Sequence, residues 1–267
     1  MPDHFFAVIM AGGGGTRLWP VSRHKNPKQL IQLFGDRSLF QIAVSRLEGF
    51  IPFEHTYVVT TAEQVEMLRA QEQKIPVRNF LIEPKPRGTA AVVAMAAAAI
   101  NKIDPAGVIA VLTADHLIEN ISGFQQNLSA ACEVANQGLI ATMGIKPTFP
   151  STGYGYIESG SEIGVFSGIK AFQVKRFIEK PPESLARDLF KQENITWNAG
   201  MFIWTAETAR RELERHAPVL GDFVTRIAAA EDVTRVVAER YAALPQISID
   251  FALMEKVERS YNVEATF

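Results

Sequence analysis

The sequence predicts an α/β fold in which a mixed sheet is flanked by helices in three layers. In the first half of the chain, short apolar segments rich in β-branched residues alternate with longer segments of helical character. After Gly138 the pattern changes to longer strands with partial alternation, which indicates an antiparallel section beside a parallel one. The chain has 267 residues, of which 47% are hydrophobic, so it suits one large domain with a sizeable core.

The first half is predicted to form four strands and three intervening helices. Each strand is short and apolar on both faces, as in a parallel sheet that helices cover on both sides. Ser38 and Gln41 have the spacing of a capping box at the start of the first helix. This alternation predicts right-handed βαβ units. The predicted strands are 5–10, 56–61, 79–83 and 108–113, and the predicted helices are 38–50, 62–73 and 89–103.

The second half is predicted to extend the same sheet. Residues 154–158, 171–179 and 201–204 have strand character. We expect them to form an antiparallel section that lies as a lid over one end of the sheet. Residues 205–258 are mostly helical in character, with interruptions at Pro218 and Pro245.

Charge and composition exclude several classes of protein. The 27 basic and 29 acidic residues give a net charge of −2, which argues against a general nucleic-acid or membrane surface. Cys132 is the only cysteine, which excludes an internal disulfide and a cysteine zinc cluster, and its apolar surroundings predict a buried thiol. No signal-peptide pattern precedes the first strand, and the longest apolar run, 90–100, is too short to span a bilayer. We therefore expect a cytoplasmic protein that binds neither nucleic acid nor membrane.

A glycine-rich turn follows the first predicted strand. Residues 12–15 are all glycine, and Thr16, Arg17 and later Lys28 follow them. Glycine backbone N–H groups can approach an anion closely, and the two basic side chains add positive charge. A P-loop would need Lys-Ser/Thr after its last glycine, and a dinucleotide fingerprint would need a helix at the glycines. The pattern therefore predicts a polyphosphate-binding loop, and the alternative is a surface turn.

Acidic residues follow two of the predicted parallel strands. Asp115 is placed to hold Mg²⁺ together with phosphate oxygens, and its alternative role is a helix N-cap or turn residue. The neighbouring His116 is expected to be a structural hydrogen-bonding residue. Glu83 offers two oxygens to the N1–H and 2-amino groups of guanine, its alternative being a surface ion pair with a basic neighbour. Because ligands bind beyond the carboxyl ends of parallel strands, we expect these acids and the glycine turn to share one site.

Polar residues also follow the later strands. Glu179 suits sugar hydroxyl groups, Lys180 suits a monophosphate, and Asn198 offers a further polar contact. Gly153 and Gly155 allow the backbone to approach a sugar ring. A solvated strand end is the alternative explanation for the first two residues.

Together these motifs resemble those of the mannose-1-phosphate guanylyltransferases (GDP-mannose pyrophosphorylases) of the bacterial type often fused to phosphomannose isomerase. Gly-Gly-x-Gly-Thr-Arg-Leu-x-Pro and Phe-x-Glu-Lys-Pro are specific for sugar nucleotidyltransferases. The resemblance implies a Rossmann-like, GT-A-like mixed sheet across residues 1–267. It also implies transfer of GMP from GTP to mannose 1-phosphate, which supplies GDP-mannose to polysaccharides. The matching segments are 11–29, 83–90, 113–116, 153–158, 177–181, 197–204 and 248–256.

The resemblance further implies a role for each matching residue. Arg17, Lys28 and Asp115 would be catalytic, and Asp115 would bind Mg²⁺. GTP and mannose 1-phosphate are the implied partners, and a homodimer is allowed. The residues implied to bind the nucleotide are Gly12, Gly13, Gly15, Thr16, Arg17, Lys28, Glu83, Gly88 and Thr89. The residues implied to bind the sugar phosphate are Gly153, Glu179, Lys180 and Asn198.

The sequence departs from the family pattern in two respects. Gly88 stands where family members often have Asn. The family's Trp-x-Asp-x-Gly segment, whose Asp is the second metal ligand, is not among these residues, nor is the C-terminal β-helical or isomerase portion. We therefore expect a shortened version of the enzyme. Two alternatives remain, a non-catalytic protein that binds GTP or GDP-mannose, and the same reaction with dTTP or UTP and glucose 1-phosphate.

Overall fold

Nine strands form one mixed sheet in the computed structural model, which describes residues 4–13, 21–23, 27–33 and 35–267. The strands are β1 Phe5–Met10, β2 Thr56–Thr61, β3 Phe80–Glu83, β4 Val108–Thr113, β5 Ile140–Ile145, β6 Tyr156–Phe166, β7 Ile169–Ile178, β8 Ile195–Thr205 and β9 Ser260–Glu264. The helices are α1 Leu39–Ser45, α2 Val65–Gln71, α3 Thr89–Ile103, α4 Ile121–Ala135, α5 Glu183–Phe190, α6 Ala206–His216, α7 Pro218–Ala229 and α8 Val233–Arg240.

The strand order is β3-β2-β1-β4-β8-β5-β9-β7-β6, and β6 also pairs with β8. The first four strands in this order are parallel, as the sequence predicted, so their carboxyl ends lie at one edge. β8 runs antiparallel to both β4 and β5. β9 pairs parallel with β5 and antiparallel with β7. The predicted antiparallel section is therefore part of the same sheet, and its role as a lid stays a prediction.

The helices cover both faces of the sheet and bury two apolar layers. Ala7 and Ile9 of β1 belong to a cluster that includes residues of α1, α2 and α4. Phe6 and Val8 point the other way, into a cluster with α3, α6 and α7. This alternation follows from the two-residue period of a strand and confirms the three-layer prediction. Within the described ranges, none of the helices combines the length and apolar composition needed to cross a membrane.

The structure contains elements that the sequence prediction lacks. These are the strands β5 and β9 and the helices α4 and α5, although the helical surroundings and burial predicted for Cys132 agree with its place in α4. β9 reads Ser-Tyr-Asn-Val-Glu, which is short and largely polar. Its Asn262 is buried, and the side-chain amide donates to the hydroxyls of Ser159 and Thr196. Such a strand shows no apolar run, so tertiary pairing alone defines it.

The predicted capping box at Ser38 is present. Ser38 Oγ accepts from the Gln41 N–H at 3.1 Å, and Gln41 Oε1 accepts from the Ser38 N–H at 3.0 Å. Ser38 Oγ also donates to Gln71 Oε1 at 2.6 Å, which ties α1 to the end of α2. The Ser38 hydroxyl therefore serves both the cap and the contact between two helices.

We expect Ser38→Ala to lower the free energy of unfolding by about 1–2 kcal/mol, because it removes a cap and a buried partner of Gln71. Urea denaturation checks this value. Ser122→Ala is the matched control, since Ser122 is exposed in the first turn of α4, and it should change stability by less than about 0.5 kcal/mol. Equal stability of the two variants would contradict the prediction.

Candidate functional site

Two neighbouring cavities lie at the carboxyl ends of the parallel strands, where the sequence predicted a ligand site. The first, named the nucleotide cavity after the ligand that the sequence predicts for it, has a volume of about 740 Å³ and contains Gly12, Lys28 and Glu83 in its lining. The second, named the sugar cavity in the same way, has a volume of about 990 Å³ and is lined in part by Glu179 and Asn198. Both volumes are typical of small-molecule sites. Residues common to both linings are Met10, Thr89, Thr113 and Asp115.

A buried polar network holds the start of the glycine turn. The Ala11 carbonyl accepts from Gln29 Nε2 at 2.7 Å and from Thr60 Oγ1 at 3.0 Å. Gln29 is fully buried and also donates to Gln64. This network sets the direction in which Gly12 and Gly13 leave β1, and sequence reasoning assigned no role to its side chains. The remaining predicted residues of this loop lie outside the described residues: Gly15, Thr16 and Arg17.

Lys28 and Asp115 form an ion pair where the two cavities meet. Lys28 lies in the 3₁₀ turn Lys28–Leu30, and its Cε would lie 3.5 Å from a Cβ added to Gly13. Burial would raise the pKa of the Asp115 carboxyl, but the hydrogen bond and charge of Lys28 outweigh it and lower that pKa. Asp115 is therefore an anion at neutral pH, and a cation stands beside the glycine turn.

A second cation, Arg46, lies near Asp115 in the interior. Arg46 is 3% exposed, lies over the ring of Phe124 at 5.7 Å, and its Nε has no hydrogen-bond partner within the part of the chain that the structure describes. Burial lowers its pKa to about 10, against the opposing charge of Asp115. Burial, together with the charges of Arg46 and Lys28, also lowers the pKa of His116 despite Asp115. His116 is therefore neutral at pH 7, and its role as a structural hydrogen-bonding residue stays a prediction.

Glu83 lies in the wall of the nucleotide cavity. Its side chain is buried, and Oε1 accepts a hydrogen bond from the Tyr241 hydroxyl at 2.6 Å. A Cβ added to Gly12 would lie 2.7 Å from Oε2, so the glycine turn contacts this carboxylate directly. Burial raises the pKa of Glu83, and donors from Tyr241 and the Arg87 backbone oppose that shift. Among the described residues Glu83 forms no ion pair, and the side chain of Arg87 donates to the Ala242 carbonyl.

Gly88 and Thr89 form the start of α3 beside this cavity. Gly88 has φ = +82°, and a Cβ there would lie 2.6 Å from the Ile247 carbonyl oxygen. Its left-handed conformation and this close backbone contact both require glycine. Thr89 Oγ1 accepts from the Ile249 N–H at 2.9 Å. The segment after α8 therefore packs directly on the first turn of α3.

The sugar cavity brings Glu179, Lys180 and Gly155 together. The Glu179 side chain is 6% exposed, and it accepts a hydrogen bond from Lys180 Nζ. A Cβ at Gly155 would lie 2.6 Å from Glu179 Oε2, so only glycine leaves room for this carboxylate. The Gly153 N–H donates to Ser151 Oγ at 3.1 Å, which fixes the loop before β6. All of these residues except Ser151 line the cavity.

Asn198 is held by the fold on both sides of its amide. Its Oδ1 accepts from the Gly200 N–H at 3.0 Å and from Thr142 Oγ1 at 3.2 Å, and its Nδ2 donates to Asp250 Oδ1 at 3.1 Å. The amide oxygen is thus committed to the protein. A single amide hydrogen and the carboxylate of Asp250 remain to contact a ligand here.

Asp250 is a site residue that sequence reasoning missed. It opens the π-helical turn Asp250–Met254 and lines the sugar cavity. Burial and the charge of Glu179 raise its pKa to about 6, against Lys180 and donors from Ser248 and its own backbone. Asp250 lies within the segment 248–256 that matches the family, between Ile249 and Phe251, and an acid flanked by apolar residues is often buried with hydrogen-bond partners.

The donors present suit Mg²⁺ held mainly by phosphate. In the described ranges, no group of three or more His, Cys, Asp or Glu side chains that could hold a metal ion is found. Mg²⁺ commonly uses one or two carboxylates together with substrate phosphates and water. Asp115, ionised and exposed to both cavities, fits that mode.

Comparisons with known proteins agree with this geometry. A model of the nucleotidyl transferase family matches residues 6–242. The chain is 37% identical over 270 residues to the mannose-1-phosphate guanylyltransferase of Sinorhizobium fredii (strain NBRC 101917 / NGR234), covering 97% of this chain and 51% of that protein. It is 36% identical over 264 residues to mannose-1-phosphate guanylyltransferase 2 of Escherichia coli O157:H7, covering 95% and 55%. The chain thus spans about half the length of the curated relatives it matches.

A solved structure has the same fold over almost all of this chain. It is the crystal structure of a Thermus thermophilus protein named mannose-1-phosphate geranyltransferase, with a TM-score of 0.86 and 31% identity over 98% of this chain and 74% of that one. The family match over residues 6–242 agrees with the nine-stranded sheet and with the paired cavities at its edge. This chain belongs to the nucleotidyl transferase family.

Proposed function

We propose that this chain transfers GMP from GTP to mannose 1-phosphate and forms GDP-mannose and pyrophosphate. The observation that carries this proposal is the Lys28–Asp115 pair at the junction of two cavities of nucleotide and sugar-phosphate size. Glu83 in the first cavity favours guanine, and acids and amides in the second favour a polyhydroxylated sugar. The names of the relatives support the choice of GTP and mannose 1-phosphate.

The reaction needs no nucleophilic side chain. A phosphate oxygen of the sugar phosphate attacks the α-phosphorus of GTP and forms a new P–O bond. The bond from that phosphorus to the oxygen bridging to the β-phosphate breaks, and pyrophosphate leaves with the electron pair. Catalysis then depends on positioning and on neutralising two anions. Lys28 supplies positive charge at the nucleotide and Lys180 at the sugar phosphate, and the predicted role of Arg17 belongs to the same task.

Asp115 would hold Mg²⁺ in this reaction. When bound, the ion would neutralise phosphate charge and orient the phosphate oxygens. Lys28 Nζ contacts the same Asp115 carboxylate that the ion would take as a ligand. If Asp115 held the ion, Lys28 would be placed to contact the phosphates beside the glycine turn.

Pyrophosphate release tests the proposal. The chain is incubated with Mg²⁺, with either mannose 1-phosphate or glucose 1-phosphate, and with one of GTP, UTP, dTTP or ATP. We expect release with GTP and little with the others. Release with UTP or dTTP and glucose 1-phosphate alone would reassign the substrates. No release with any pair, in a chain whose melting temperature GTP still raises, would overturn catalysis in favour of nucleotide binding.

A further inference from the structure

Tyr241 reaches Glu83, a residue in the wall of the nucleotide cavity, from a distant part of the chain. It lies in the 3₁₀ turn Tyr241–Ala243 after α8, is fully buried, and donates its hydroxyl to Glu83, 158 residues away. Its ring packs edge-on against Phe223, with centroids 5.7 Å apart. Burial and the charge of Glu83 raise the pKa of Tyr241, so the hydroxyl keeps its proton and stays a donor at neutral pH.

The Tyr241 hydrogen bond determines how Glu83 presents its carboxylate. Oε1 is tied to the Tyr241 hydroxyl, while Oε2 lies against Gly12 in the wall of the cavity. A carboxylate oxygen can accept more than one hydrogen bond, so a fixed carboxylate can meet two parallel N–H groups. Without the hydroxyl, the carboxylate would keep the backbone N–H of Arg87 as a donor, and no ion pair among the described residues would hold it, so its orientation would be less firmly fixed.

We propose that Tyr241 is a positioning residue that sets the base specificity of the nucleotide cavity by fixing the Glu83 carboxylate for the N1–H and 2-amino edge of guanine. This inference rests on the proposed function, since it takes GTP as the nucleotide. Hypoxanthine has only the N1–H of this pair, and adenine presents an acceptor at N1 instead. A fixed carboxylate therefore favours guanine, tolerates hypoxanthine less well and repels adenine.

The same contact sets the protonation of Glu83. Burial raises the pKa of Glu83, and the Tyr241 hydroxyl and the Arg87 N–H lower it. The titratable side chains that line the same cavity are Arg23, Lys28, Glu63 and Asp115. Removal of the Tyr241 hydroxyl takes away a donor to the charged form, so the Glu83 pKa must rise further. A protonated Glu83 presents O–H to the guanine N–H groups, so GTP binding should weaken at a higher pH than before.

The test measures equilibrium binding of GTP, ITP and ATP to Tyr241→Phe by titration calorimetry, from about pH 5 to about pH 8. Phenylalanine keeps the ring that packs on Phe223 and removes only the hydroxyl. We expect GTP to bind about tenfold more weakly, ITP to lose less, ATP to be unchanged, and the acid midpoint of GTP binding to move upward. Tyr57→Phe is the matched control. Tyr57 is also a buried tyrosine, 6% exposed, but it lies near the amino end of β2, whereas the cavities lie at the carboxyl ends of the parallel strands.

Unchanged ratios of GTP to ATP affinity and an unchanged acid midpoint in Tyr241→Phe would overturn the inference. A chain without substitutions that binds all three nucleotides equally well would overturn it too, because Glu83 would then read no base. Neither result depends on turnover. Pyrophosphate release by the unsubstituted chain reports separately on the proposed reaction, so the two failures are distinguishable.

Discussion

Lys28→Ala should slow pyrophosphate release by the folded chain roughly 10²-fold or more. Lys28 lies beside Gly13 and pairs with Asp115 at the junction of the cavities, where the reacting phosphates would meet. Two anionic substrates repel each other there, and a preorganised cation lowers that repulsion most in the transition state. The turnover number should therefore fall more than the Michaelis constants rise. Steady-state kinetics with GTP and mannose 1-phosphate measure both.

Stability separates this effect from a general loss of structure. Lys28 is part of a partly exposed ion pair, whose loss should cost little free energy of unfolding. Lys74→Ala is the matched control, since Lys74 forms an exposed ion pair with Glu48 at 3.1 Å away from the cavities. It should leave turnover unchanged. Near-normal turnover in a folded Lys28→Ala chain would remove Lys28 from the mechanism.

Asp250→Asn should make the chain more stable and its binding of mannose 1-phosphate about tenfold weaker. The pKa of Asp250 is raised to about 6, mainly by burial and next by Glu179, so the folded state holds this proton more tightly than the unfolded state. Protonated Asp250 therefore contributes to the free energy of unfolding at a pH below its pKa in the unfolded chain. That contribution is lost as the pH rises to its folded-state pKa of about 6. An asparagine at position 250 can still accept the hydrogen bond from Asn198, and it does not lose stability as the pH rises. It has no negative charge, however, so it is a weaker hydrogen-bond acceptor for the sugar than the Asp250 carboxylate.

Urea denaturation at about pH 5 and about pH 7.5 tests the sign. The gain of Asp250→Asn over the unsubstituted chain should grow between these values and reach the order of 1–3 kcal/mol at the higher pH. Asp188→Asn serves as the control, because Asp188 is an exposed partner of Lys191 on α5. If Asp250→Asn were less stable than the unsubstituted chain at neutral pH, the fold would favour the charged form of Asp250, which would contradict the prediction.

The parallel half of the fold and the edge that holds the site were predictable from the sequence. β1, β2 and β4 have the predicted bounds, because their short apolar and β-branched runs report burial on both faces. β3 differs by one residue, and this edge strand is only partly buried. Because parallel strands have their carboxyl ends at one edge of the sheet, the polar residues that follow these strands lie together at that edge. Glu83, Asp115 and Lys28 accordingly line one cavity.

The site residues that sequence reasoning missed depend on contacts between distant segments. Tyr241 lies behind the nucleotide cavity and bonds to Glu83, and Asp250 lines the sugar cavity and bonds to Asn198. Local periodicity carries no information about such pairs, because a hydroxyl or carboxylate looks the same in the sequence whether it is solvated or buried. Arg46 and Gln29 were missed for the same reason, since each is a polar residue buried by its tertiary surroundings.

The position of β9 has a consequence for how the molecule folds. β9 pairs with β5 on one side and β7 on the other, and Ile140 lies opposite Ser260, which comes 120 residues later in the sequence. During synthesis, both neighbouring strands therefore expose unpaired backbone groups until residues 260–264 have emerged. Exposed strand edges of this kind invite association with other chains, and closing such a distant pairing is slow. The interior of this sheet is thus completed late, and its yield on refolding should fall as protein concentration rises.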